Sequence, residues 1–204
     1  MTNLIKSKVY LLFLLLIIIN ITGKTEENFF EKKAKETQLA NSVDTGAEAE
    51  IVFNKMRSYT YYYLGMNLRY PYRIVLVTPA QLDTMITGIY KGVEIGLYFF
   101  KGGIHYIYLL NNLSPDEFMG TSAHEYAHAW QKENCPPQSL ELKEGFADWV
   151  AYKVLNLSGA YTTSQGIFYR SDPVYGKGFK LLSDIEQKQG INGVIEFVKT
   201  HQNF

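Results

Sequence analysis

Cysteine is almost missing from this chain of 204 residues, where Cys135 stands alone. A single thiol excludes an internal disulfide and any zinc site built on thiolates. Catalysis by this thiol is disfavoured as well, because Asn134-Cys135-Pro136-Pro137 is a loop sequence with no helix start to lower its pKa. Net charge is also lacking. Lysine plus arginine total 20 and aspartate plus glutamate total 20, so no strong field draws the chain to nucleic acid or to an acidic membrane. Internal repeats and low-complexity tracts are absent, which excludes a solenoid. No apolar run is long enough for a comfortable transmembrane helix, since the longest, from Val9 to Ile19, falls short.

That apolar run nevertheless carries information. Lys6 and Lys8 precede it and a polar stretch from Asn20 follows it, the layout of a signal peptide over residues 1–23 with cleavage after Gly23. The alternative is an uncleaved anchor. Either way the expected location is secreted or extracytoplasmic. Residues 24–43 are charged, polar and without periodicity, and read as a flexible spacer. Residues 44–204 are then one domain, as their length allows. A composition with 47% apolar and 15% aromatic residues, including 16 tyrosines, is that of a folded protein.

Within the domain, apolar residues from Ala47 to Met66 recur at close to 3.6-residue spacing and predict a helix. The β-branched run Tyr72 to Val77 predicts a strand. Glu94 to Phe100 and Ile104 to Leu110, joined through Lys101-Gly102-Gly103, predict a hairpin whose glycines supply positive φ. Ser114-Pro115-Asp116-Glu117 is a strong helix start: a capping hydroxyl, proline at the first position and two acids at the positive end of the dipole. A helix from Pro115 to about Lys132 follows. Beyond Pro136 and Pro137, helices are predicted from Glu141 to about Leu155, Tyr175 to Gln189 and Val194 to His201. The predicted fold is α+β and zincin-like: a small N-terminal sheet plus helix, a zinc-binding helix and a helical C-terminal part.

Chemistry concentrates in His124-Glu125-Tyr126-Ala127-His128. Residues four apart share a helix face, so both imidazoles can meet one Zn2+ while Glu125 reaches a water held beside it and serves as general base. Glu144 in the next predicted helix is the expected third ligand. Glu141 and Asp148 are alternative acids, and Gly145 favours Glu144 because a glycine lets another backbone come close. Asp148 lies one turn further along and is expected to accept a hydrogen bond from a ligating histidine. Trp130 and Trp149 are assigned to the core. A donor for the developing oxyanion is also required, and Tyr175 is the candidate, with His201 and Tyr126 behind it. A purely structural tyrosine is the alternative at Tyr175. The strand containing Ile104, His105, Tyr106, Ile107 and Tyr108 is expected to form an edge that pairs with substrate backbone.

Together, Glu125 with its two histidines, Ala129-Trp130, Glu144-Gly145 and Tyr175-Gly176-Lys177-Gly178-Phe179 resemble the peptidase domain of the DA-one-like family, within the gluzincin group of zinc peptidases. The resemblance runs from about Val93 to Lys199. It implies cleavage of peptides or proteins, with His124, His128 and Glu144 on zinc and Glu125 as base. The plant members carry ubiquitin-interacting and LIM modules that this chain lacks, so ubiquitin-linked regulation is not carried over. Asp148 stands where that family often has glutamine; an acid there is similar to other gluzincins. Two rival readings are a non-catalytic, zinc-stabilised extracellular binding module and a maturation factor of narrow specificity.

Overall fold

The packed body begins with a strand-like contact: Val43 pairs with Leu113 and is buried, one residue ahead of the expected boundary at 44. Thr45 then caps a helix, α1 (Gly46–Leu64), through a reciprocal pair of bonds with Glu48. Ala49, Phe53, Met56, Thr60 and Leu64 form its buried stripe, and Gly65 ends it at φ 65°. The computed structural model describes residues 42–86 and 95–204. The expected signal segment, nearly all of the spacer, and the start of the first hairpin strand lie outside the described residues. No helix among the described residues is long and apolar enough to cross a membrane.

Three strands follow: β1 (Tyr72–Val77), β2 (Gly96–Lys101) and β3 (Ile104–Leu110). Gly102 and Gly103 turn the β2–β3 hairpin at φ 60° and 76°, as the sequence requires. Between β1 and β2 lies a short helix that periodicity does not reveal, α2 (Pro79–Met85), capped by Thr78 and Gln81. The sheet order is β1-β3-β2, with β1 parallel and β2 antiparallel to β3. This order corrects the strand assigned to substrate. Ile104, His105, Tyr106, Ile107 and Tyr108 occupy the central strand, where backbone groups are spent on both neighbours. The two edge strands are β1 and β2.

Strand β3 alternates in burial, turning His105, Ile107 and Leu109 towards the helices. Against them lies α3 (Pro115–Asn134), started by the expected Ser114–Glu117 capping box. Beyond it are α4 (Leu140–Ser158), α5 (Tyr161–Phe168) and α6 (Tyr175–Thr200), the last interrupted at Gly190, which has φ 71° and ψ −177°. Helix α5 carries no capping signature, since its N-terminus has no side-chain cap. Helix α4 packs between α3 and α6 around Phe146 and Trp149, with Trp130 beside them. Both tryptophans are buried, in keeping with a core role. The architecture is α+β, predominantly helical with a small three-stranded sheet.

Candidate metal centre

The four-residue helical spacing places His124 and His128 on one face of α3, with ring centroids 4.8 Å apart. Helix α4 brings Glu144 to the same point. Its position depends on two glycines: a methyl group on Gly145 would stand 2.5 Å from Gly178 backbone, and one on Gly178 would stand 2.2 Å from the Glu141 carbonyl. The bare backbones let α6 seat on α4 at this height, directly beside the acid. His124 Nε2, His128 Nε2 and Glu144 Oε2 form a triangle with all three separations at 3.2 Å. Among the described residues these three could hold a metal ion.

Hydrogen-bond partners fix the two imidazoles. His124 Nδ1 lies 3.0 Å from Asp148 Oδ1, and an ionised carboxylate only accepts, so this nitrogen carries hydrogen. His128 Nδ1 donates to Gln131 Oε1 over 3.1 Å. Both Nε2 atoms therefore turn their ligating positions inward, towards each other and the Glu144 oxygen. Three electron-rich atoms at this spacing repel unless a proton or a cation lies among them. For the side chains alone, burial opposes charge on His124, yet its bonds to Asp148 and Glu144 outweigh this and raise its pKa to about 10. Burial likewise works against the Glu144 carboxylate, but the two histidines hold its pKa well below the ordinary range. The cluster is built around a positive charge.

Glu125 is 6% exposed and borders the cavity that reaches His124. Burial pushes its pKa up, against the lowering influence of the two histidines. The cavity measures about 560 Å³ and extends from these residues past Gly96 and Thr121 to an apolar end at Ala151, Leu155 and Ile167. Tyr175 lines its wall, with its ring centroid 6.1 Å from that of His124. Asp172 fixes the start of α6 by accepting from the backbone N–H groups of Val174, Tyr175 and Gly176.

Other expected residues are placed elsewhere. Tyr126 is 1% exposed on the side of α3 that packs against Phe53, and His201 stacks on Phe197 at the far end of α6. Neither borders the cavity. His105 is fully buried, donating from Nε2 to Glu133 over 2.8 Å and accepting at Nδ1 from the Tyr98 hydroxyl over 2.9 Å, a structural tie between the sheet and the end of α3. Cys135 is half-buried, and burial pushes its thiol up to about 12, which disfavours the nucleophilic thiolate.

Local sequence does not signal Arg170, which donates to Asp148 Oδ2 over 2.7 Å and lies over the Tyr175 ring at 5.2 Å. It sits in the connection between α5 and α6, where no periodicity signals its direction. Gln131 does carry a signal, its place three residues after His128 on one helix. No family model matches the chain, and comparison with curated proteins and with solved structures gives no match either.

Proposed function

We propose that this chain is a zinc-dependent metallopeptidase of the zincin type, acting on peptides or proteins outside the cytoplasm. The observation that carries this reading is the triangle of His124, His128 and Glu144 donor atoms with 3.2 Å edges. Tetrahedral zinc with bonds of about 2.0–2.1 Å needs donors about 3.3 Å apart. Two imidazole nitrogens and one carboxylate oxygen also match the donor chemistry of catalytic zinc, which leaves a fourth position open. The resemblance to DA-one-like peptidases and the signal-like first residues support the same reading.

His124, His128 and Glu144 would hold a zinc ion, which would supply Lewis-acid activation of a water and of the scissile carbonyl. Glu125, which borders the cavity beside His124, takes the proton that the attacking water loses and passes it to the departing amine. Asp148 and Gln131 hold the two imidazoles in their ligating tautomers. Tyr175, which lines the cavity wall, orients the carbonyl oxygen in this reading.

Substrate backbone pairs with β2. Leu110 N–H donates to the Ile95 carbonyl, so alternate residues 95, 97, 99 and 101 face β3. The backbone groups of Gly96, Tyr98 and Phe100 point away from β3, to the edge that no strand covers among the described residues, and Gly96 borders the cavity.

Wild-type and Glu125→Gln proteins loaded with zinc and incubated with a mixed peptide library test this reading. Cleavage by the wild type alone is expected. Equal turnover by both rejects the assigned base, and zinc binding without any turnover favours a non-catalytic binding module.

A further inference from the structure

Helix α3 supplies both histidines, yet their outer nitrogens meet different chemistry. His124 leans on a carboxylate, itself held by Arg170. His128 leans on the neutral amide of Gln131, a side chain only 5% exposed. A primary amide has an accepting end and a donating end, and only the accepting end suits an Nδ1 that must carry hydrogen. Whichever way the Gln131 amide faces decides which nitrogen of His128 is left to bind metal.

Its orientation is dictated from outside the metal site. Gln131 Nε2 donates to Gln138 Oε1 over 2.9 Å and to the Lys143 carbonyl over 3.2 Å. Gln138 in turn uses its own nitrogen on the carbonyls of Val198, at 2.7 Å, and His201, at 3.2 Å. Two carbonyls at the end of α6 can accept but not donate, so Gln138 must present its oxygen to Gln131. Gln131 must then present its oxygen to His128. Every polar atom of the Gln131 amide is used, and a reversed amide would set N–H against N–H at His128 and oxygen against oxygen at Gln138 and Lys143.

We propose that Gln131 is the positioning residue for His128, keyed through Gln138 by the carbonyls at the C-terminal end of α6, and that this relay sets the metal affinity of the site. The proposal rests on the reading of His124, His128 and Glu144 as a zinc site. It adds that the end of α6, remote from the chemistry, takes part in holding the ion.

Zinc affinity, measured by competition with a chromophoric chelator, tests the relay, alongside thermal unfolding of the metal-free proteins. Gln131→Met keeps the length of the side chain and removes the acceptor. It is expected to weaken zinc binding by about 10–100-fold. Gln131→Glu keeps an acceptor for His128 but loses both donations, to Gln138 and to Lys143. It is therefore expected to lower the unfolding temperature at least as much as Met while restoring zinc affinity to within a few-fold of wild type. Affinity that follows the acceptor, and not the unfolding temperature, supports the relay, because a carboxylate accepts through either oxygen and only the amide needs Gln138 to orient it. Equal weakening in both variants, or none in either, overturns it and leaves Gln131 as a bridge between α3 and α4. A wild type that binds no zinc overturns the metal reading itself, a result distinguishable from either of these.

Discussion

Gly96 and Glu125 lie so close that a methyl group on the glycine would stand 2.9 Å from Glu125 Oε1 and 2.6 Å from Thr121 Cγ2. The edge strand touches the proposed base only because this residue has no side chain. Gly96→Ala must displace either the carboxylate or the strand. A misplacement of about 1 Å costs on the order of 10²-fold in rate. Peptide hydrolysis by Gly96→Ala is expected to fall by about that factor, with zinc affinity unchanged because His124, His128 and Glu144 are untouched. Parallel kcat/KM and chelator-competition measurements check this.

The buried Glu125 carboxylate has a second consequence, read in stability. Its pKa is raised in the fold, chiefly by burial. The folded protein therefore holds this proton more tightly than the unfolded chain, and ionisation destabilises the fold above the raised pKa. Metal-free Glu125→Gln is expected to unfold at a higher temperature than metal-free wild type near neutral pH. The difference should shrink as pH falls through the raised pKa and vanish below the unfolded value. Melting curves across that range decide it, and a wild type more stable at neutral pH would contradict the sign.

Zinc uptake should release a proton. With a pKa of about 10, His124 is protonated at neutral pH before the ion arrives, and a ligating nitrogen cannot keep that hydrogen. Below that pKa the affinity is expected to rise about tenfold per pH unit. Titration calorimetry in buffers of different ionisation heat should find about one proton released per zinc at pH 7; heats independent of buffer would refute this.

Glu133 ties the start of β1 to α3. Its side chain, 1% exposed, accepts from the backbone N–H groups of Arg69 and Tyr70, at 2.8 and 3.0 Å, and from His105. Burial works against its charge, but these donors prevail and lower its pKa. The stabilisation is fully present above the unfolded value of about 4.5 and is lost as pH falls through the lowered folded value. Glu133→Gln is expected to cost about 2 kcal/mol at neutral pH in denaturant unfolding, because one accepting oxygen becomes a donor facing backbone N–H groups.

Much of this site was legible in local sequence, because helices are local objects. Ser114 and Glu117 announced α3, and the spacing of His124 and His128 put both rings on one face. Thr78-Pro79-Ala80-Gln81 carries the same capping signature, but α2 is too short for periodicity to confirm it beside the β-branched run before it. Strand order was not legible. Alternation along Ile104–Leu110 tells which side chains face inward, but the parallel pairing of β1 with β3 is made across a long stretch of chain, with no turn to betray it. For the same reason Gly96 and Arg170 gave no signal: each acquires its role from what the fold sets against it.

The interruption of α6 at Gly190 separates two duties. An unbroken rod would lever any displacement of Tyr175 at one end into an equal displacement of the carbonyls at the other. A residue at φ 71° and ψ −177°, a conformation all but confined to glycine, breaks that lever. Tyr175 at the cavity wall and the Val198 and His201 carbonyls that grip Gln138 therefore stand on separate helical segments.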